Sequence, residues 1–367
     1  MNKNELYLTF CAMVPITPNE TEDYRAIIKK HLRKYLNLLK QLDKRYRPPK
    51  WMEIYNRTEQ LCDGINRSIE AEYKGVRHSA YTSIKNQLDG YKIQNKYVSG
   101  LSYNISSMAS GMRFFRMRKV SLEEQRNLKP ADIFHIPLNM RGLVQSQRYS
   151  AIGYPCLYVS HTIYGCWEEM GRPDFGSVMV SQLINKFDFN VLDLRVPSEE
   201  QWNKNMGKCI QFFPLIIASM VQTKNEKDTY KPEYLIPQLL TEWIISRNRN
   251  KQKSTQQEII GIVYTSAQKN SDFDFPANSY DNYAIPVLNP LGYGNYCSKL
   301  VSLFTVTKPT YYDLEVLKQG NIIDSGNFDS NTEDNKKEHL SISPFGIMEK
   351  YIEKQDSVSI DIYGHIK

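Results

Sequence analysis

Between Phe114 and Met170 the chain gathers groups suited to holding an anion and a developing cation. They are Arg116 and Arg118 in Phe114-Phe115-Arg116-Met117-Arg118, the triplet Arg148-Tyr149-Ser150, Gly153, Tyr158 in Pro155-Cys156-Leu157-Tyr158-Val159-Ser160, and Glu168-Glu169 after Cys166-Trp167. Arg148 precedes Tyr158 by ten positions, Gly153 precedes it by five, and Glu169 follows it by eleven. Guanidinium groups stay charged and fork onto phosphate oxygens, and a carboxylate favours positive charge that develops beside it. On a strand, Arg116 and Arg118 share one face. Taken singly, each has a plainer reading: surface charge for the arginines, a solvated helix residue for Glu169, a core tyrosine for Tyr158, a turn serine for Ser266.

Other chemistries are excluded by what the sequence lacks. There is no Walker A sequence, and Gly292-Tyr293-Gly294 lacks the third glycine and the strand-to-helix setting of a dinucleotide fingerprint. No Cys-x-x-Cys or His-x-x-x-His pair occurs, and the six histidines are dispersed, so the sequence predicts no metal site. Cys166 beside Trp167 reads as a buried structural thiol, since nothing nearby lowers its pKa.

The elements that must position these groups fall into two textures. From Glu20 to Leu42 the apolar residues Ile28, Leu32, Tyr35, Leu39 and Leu42 recur at spacings of four and three, one stripe of an amphipathic helix ended by Pro48-Pro49. Further helices are predicted at Met52 to Glu72 and Ser79 to Leu88, and Gly90 to Ser110 reads as a linker. After Gly111, β-rich runs at Phe114 to Arg118, Pro155 to Ser160, Phe189 to Leu194, Ile259 to Thr265 and Leu300 to Val306 alternate with helical patterns near Ile163 to Met170, Glu200 to Met220 and Ile236 to Arg247. That is a mixed α+β domain. Ser325 to Glu338 reads as an acidic loop, and Gly346 to Lys354 as a final short helix.

The 367 residues, 41% hydrophobic and 24% charged, exclude disorder, collagen and a disulfide miniprotein. The longest apolar run, Phe212 to Val221, contains Pro214 and is about half of what a bilayer-spanning helix needs. Leu6 to Val14 reads as something other than a signal segment, because Glu5 abuts it and no small-x-small cleavage site follows. Six scattered cysteines suit a reducing cytoplasm. Residues 1–100 hold 18 Lys and Arg against 11 Asp and Glu, so the whole net charge of +7 lies there. Such a charge run is more often a solvated face than a nucleic-acid site.

The ordered residues around Tyr158 resemble the RES domain family, named for its Arg, Glu and Ser. Its members carry an Arg at the end of a first strand, an Arg-aromatic-polar triplet with a Gly before the next strand, a Tyr on that strand, and a Glu eleven positions later. Their Ser follows a late strand and precedes an Asn-Tyr-x-x-Pro element, matched here by Ile262-Val263-Tyr264-Thr265-Ser266 and Asn282-Tyr283-Ala284-Ile285-Pro286. The resemblance covers about residues 111–310. The N-terminal helices and the insert between Arg195 and Gln257, with Lys231-Pro232-Glu233-Tyr234 inside it, are similar to those of the family's longer members.

The resemblance implies an ADP-ribosyltransferase-like α+β fold that binds NAD⁺ as substrate and breaks its nicotinamide-ribose bond, with no metal or prosthetic group. It implies catalytic roles for Glu169, Tyr158 and Ser266, and NAD⁺ contacts from Arg116, Arg148, Tyr149, Gly153, Tyr158, Asn282 and Tyr283. Of the two neighbouring carboxylates it selects Glu169, which leaves Glu168 a structural role. The expected organisation is a helical domain over 1–100, a catalytic domain over 111–310 and a C-terminal extension over 311–367 that packs on it. The expected role is that of a cytoplasmic toxin or phage-defence effector that removes NAD⁺, neutralised by a cognate antitoxin. The alternatives are a protein ADP-ribosyltransferase and a non-enzymatic module binding nucleic acid or a partner through the basic helices. The family's helical domain has been likened to ribonuclease modules with an Arg four to six residues before a His. Arg67 and Arg77 stand at other spacings from His78, so that activity is not supported.

Overall fold

Asn2 and Glu5 begin the first helix by satisfying each other's amides, a capping box over Lys3–Cys11 (α1). The apolar stretch considered as a signal segment is thus largely a capped helix with Leu6 and Phe10 buried. The computed structural model describes residues 1–19, 21–93, 96–101, 104–121, 123–124, 127–249, 257–267, 275–288, 294–311 and 332–367. Gly292, Tyr293 and the start of the acidic stretch, residues 325–331, lie outside the described residues.

In chain order the remaining elements are α2 (Tyr24–Lys40), α3 (Trp51–Tyr73), α4 (Arg77–Asp89), β1 (Gly90–Ile93), β2 (Lys96–Ser99), β3 (Ile105–Met108), β4 (Arg113–Lys119), β5 (Cys156–Ser160), α5 (Ile163–Glu169), β6 (Val178–Asn185) and β7 (Phe189–Leu194). They continue with α6 (Glu199–Ser219), α7 (Leu235–Arg249), β8 (Gly261–Thr265), β9 (Asp281–Pro286), α8 (Ser298–Leu303), β10 (Phe304–Thr307), β11 (Thr310–Tyr311), α9 (Glu333–Ile342), α10 (Pro344–Ile352) and β12 (Ser357–Val358). The class is α+β, as the sequence predicts. Four departures stand out. The linker carries the β1–β2 hairpin and β3, β6 replaces an unrecognised stretch, and the run Leu300 to Val306 is half helix and half strand. The described part of the acidic stretch opens α9.

Two units divide the chain. The first comprises Met1–Ser106, Ser146–Ser150 and Leu192–Gln256, and the second Ser107–Gln145, Ala151–Val191 and Gln257–Lys367. The helical domain is therefore not confined to 1–100: α6 and α7 of the insert belong with the N-terminal helices. Aromatic packing explains this, because Phe10 stacks on Phe213 at 4.9 Å and meets Trp202 edge-on at 5.5 Å. Tyr35 donates its hydroxyl to the Ile210 carbonyl at 2.6 Å. The stripe Ile28, Leu32, Tyr35 and Leu39 is buried, as its spacing requires.

The sheet runs in the order β12-β10-β6-β4-β5-β9-β8-β7-β3, with β11 also on β6, and is antiparallel from β12 through β8. Strand alternation gives the second unit two cores. Phe114, Leu157, Val159, Val263, Tyr283 and Ile285 point to one, which Ile133, Phe134, Tyr296 and Leu300 complete. Phe115, Met117, Val178 and Val180 point to the other, which α5 and α10 cover with Ile163, Tyr164, Cys166, Phe345, Met348 and Ile352. Full burial of each of the three α10 side chains contributes about 1.5–3 kcal/mol. The described residues after 310 thus belong to the same unit as strands β4, β5, β6, β8, β9 and β10.

Candidate active site

Three adjacent strands set the floor of the site. The register pairs Ser160 of β5 with Asn282 of β9, and Asn282 with Tyr264 of β8, so the three side chains share one face. Tyr158 and Ala284 form the next pair on that face. Above them lies α5, started by Thr162, whose hydroxyl accepts from the Gly165 amide at 2.9 Å and donates to the Ser279 carbonyl at 2.8 Å. Gly165 permits this close approach: a Cβ there would stand 2.6 Å from the Ser279 carbonyl and 3.2 Å from Ser160 Cβ.

At the last position of α5, half-buried Glu169 turns its carboxylate onto the strand face. Oε1 accepts from the Tyr264 hydroxyl at 3.0 Å. Oε2 accepts from the Ser266 hydroxyl at 2.6 Å and from Asn282 Nδ2 at 3.2 Å. The Asn282 amide is itself oriented, since its Oδ1 accepts from the Ser160 hydroxyl. Tyr264, Ser266, Ser160 and Asn282 are all buried. Three donors converging on one carboxyl group fix where its two oxygens point.

Glu168, one residue earlier, goes elsewhere. It is 1% exposed, accepts from Tyr164 at 2.6 Å, and takes Arg172 on both oxygens, at 2.8 Å through Nη2 and 3.3 Å through Nε. Gly171 and Arg172 both have positive φ, which turns the chain back so that the Arg172 side chain reaches this carboxylate.

Arg116 extends from β4 to donate Nη1 to the Tyr158 carbonyl at 2.7 Å. Its Nε is buried without a hydrogen-bond partner among the described residues, and burial lowers its pKa. An unanswered guanidinium donor of this kind calls for an acceptor. Within the second unit, the structure thus brings together Glu169, Ser266 and Asn282, with Arg116 joined to the backbone of Tyr158 on the adjoining strand. Arg118, its partner on that face, is spent on the Asp132 carbonyl at 2.8 Å and on Glu124 at 3.3 Å.

Four further residues of the expected set have other partners in the structure. Arg148 and Tyr149 belong to the first unit, where Arg148 is buried, donates Nη1 to the carbonyls of Ser219 at 3.0 Å and Val221 at 2.9 Å, and lies over the Tyr234 ring. Tyr149 is buried in the same unit. Strand alternation turns Tyr283 away from Asn282 into the opposite core, edge-on to Phe114 at 4.9 Å. Gly153 makes a turn with φ of +78°, donating to the Val144 carbonyl at 3.0 Å and accepting from Arg141 at 2.8 Å.

Tyr264 and Ser160 are the site residues that the sequence reading passed over. Both were inside quoted motifs, and the signal that finds them is strand pairing with Asn282. Cys166 is a structural thiol, donating to the Phe115 carbonyl at 3.1 Å, with burial pushing its pKa up to about 11. Among the described residues no cluster of His, Cys, Asp and Glu is arranged to hold a metal ion, and no helix is long and apolar enough to cross a membrane.

No family model and no solved structure matches the chain. A protein of Bacillus subtilis (strain 168) named "Putative toxin YopC" is 30% identical over 317 residues, covering 82% of this chain and 68% of that protein. The candidate site therefore sits in a chain that belongs to the family of this YopC protein.

Proposed function

We propose that the second unit is a RES-type enzyme of ADP-ribosyltransferase-like fold that cleaves the nicotinamide-ribose bond of NAD⁺, and that toxicity follows from loss of NAD⁺. The observation that carries this reading is the Glu169 carboxylate with donors from Tyr264, Ser266 and Asn282. Departure of nicotinamide takes the bonding electron pair and leaves an oxocarbenium-like ribose, whose positive charge a fixed carboxylate favours. The oxygen of water or phosphate then bonds to the anomeric carbon, water giving its proton to solvent. Donors set in place beforehand keep the Glu169 carboxylate aimed, so little reorganisation is needed as charge develops.

Arg116 supplies charge for the pyrophosphate, with its buried Nε as an available donor. Tyr158 supplies a flat face for the nicotinamide or ribose. Arg148 is assigned to holding the Ser219–Val221 turn of the helical unit. A toxin of this kind calls for a cognate antitoxin that masks it in the producing cell. The test is to incubate the purified protein with NAD⁺, with and without phosphate, and to identify the products. Nicotinamide with ADP-ribose marks transfer to water, and a phosphorylated ADP-ribose marks transfer to phosphate. Absence of nicotinamide release under both conditions overturns the reading.

A further inference from the structure

Helix α5 is seven residues long and carries Glu169 at its last position. So short a helix has little stability of its own, and its placement depends on what it is packed against. One side faces the sheet. The other is covered by α10, whose Phe345 meets Tyr164 edge-on at 5.2 Å and Trp167 at 5.3 Å. The first amide of α5 leaves its own element altogether: Ile163 N–H donates to Glu349 Oε1 of α10 at 2.7 Å. This bond spans 186 positions of sequence and ties the start of α5 to a helix far along the chain.

We propose that Glu349 is a positioning residue for Glu169. By accepting from Ile163 it fixes the start of α5, and through this short rigid helix it sets where the Glu169 carboxylate meets Tyr264, Ser266 and Asn282. The proposal rests on the reading of Glu169 as the charge-stabilising carboxylate. Glu349 has no part in binding NAD⁺, so its effect belongs to the chemical step. Its role is that of an acceptor, which an amide oxygen fills as well as a carboxylate.

Glu349 also lines a cavity of about 600 Å³ together with Arg113, Phe115, His161, Thr162 and Lys350. Glu349→Ala therefore enlarges an existing space instead of opening a new void in a packed core, and the fold should hold.

The test compares wild type, Glu349→Gln and Glu349→Ala by NAD⁺ turnover and by amide hydrogen exchange across residues 163–170. Expected for Glu349→Ala is faster exchange in that segment and a kcat lower by about tenfold with KM unchanged. Glu349→Gln should restore both. The proposal is overturned if Glu349→Ala exchanges and turns over as wild type does, if Glu349→Gln is as defective as Glu349→Ala, or if only KM moves. A wild type that releases no nicotinamide overturns the reading of the site, and the exchange data then still decide whether Glu349 holds α5.

Discussion

Glu168 and Glu169 are consecutive residues whose carboxylates end in unrelated surroundings: one is closed off by Tyr164 and Arg172, the other faces Tyr264, Ser266 and Asn282. Successive helical positions point about 100° apart, so one carboxylate can enter the strand face only if its neighbour turns away. Glu169→Gln keeps the shape and removes the charge. It should bind NAD⁺ nearly as well while losing on the order of 10²-fold or more in cleavage. Equal rates for this variant and wild type in a purified assay would leave Glu169 without a role.

Glu168→Gln should reveal itself in stability. It leaves the Arg172 guanidinium short of its countercharge in a site where the carboxylate is 1% exposed and Arg172 itself is 27% exposed. A cost of about 1–3 kcal/mol is expected. Chemical denaturation at neutral pH measures it. A midpoint unchanged from wild type would show that the Trp167 ring, the neutral amide and water suffice for Arg172.

The donors to Glu169 act through it, so removing one should cost less than removing the carboxylate. Tyr264→Phe and Ser266→Ala should each lower kcat by about 10- to 100-fold, as for the loss of one hydrogen bond to a charged group. Together they should couple more than additively, since they hold opposite oxygens of one group. Turnover in the two single variants and the double variant reads the coupling.

Gly165 offers a test by geometry. A Cβ there would stand 2.6 Å from the Ser279 carbonyl, so Gly165→Ala must push α5 off the sheet and carry Glu169 with it. Cleavage should fall while the far-ultraviolet spectrum stays that of the folded protein. Wild-type turnover in this variant would mean that α5 tolerates a shift.

Two groups shifted by desolvation give opposite pH slopes. His135 is fixed as a neutral ring between the Ile136 carbonyl at 2.8 Å and the Cys297 amide at 2.9 Å, and burial lowers its pKa from 6.5 to about 4. The unfolded chain therefore binds a proton between these values that the native ring refuses, and stability falls as pH drops through the window, by roughly 3 kcal/mol at most. Glu349 is the reverse. Burial, with Glu353 adding to it and the Ile163 amide opposing, raises its pKa from 4.5 to about 7, so stability declines as pH rises from 4.5 to 7. Arg113, His161, Lys337, Lys350 and Glu353 line the same cavity. In wild type the two slopes should largely cancel between pH 4.5 and 6.5. Glu349→Gln should unmask the loss on acidification due to His135, read from urea midpoints across that range.

Much of the site was legible because short spacings survive folding: the eleven residues from Tyr158 to Glu169 span one strand, one turn and one helix. What escaped was set by partners distant in sequence. Tyr264 and Ser160 join the site through cross-strand pairing with Asn282, a register that local pattern does not encode. Strand β6 was missed because buried Ser181 and Gln182 break its apolar run, although a strand covered on both faces accommodates them. The helical unit was drawn too short for the same reason, since α6 reads as part of the later domain until Phe213 is seen stacked on Phe10.

The first unit is assembled from separated stretches of chain, and this has a consequence for vectorial synthesis. Helices α1 to α4 leave the ribosome well before α6 and α7, with eighty residues of the other unit between Ser106 and Leu192. At about 5–20 residues per second that interval lasts on the order of ten seconds. During it Phe10 and Tyr35 lack the rings that later cover them. A nascent chain therefore presents an unfinished apolar surface for a fixed, length-determined time, which sets the period in which a cell can intercept this protein before its helical unit closes.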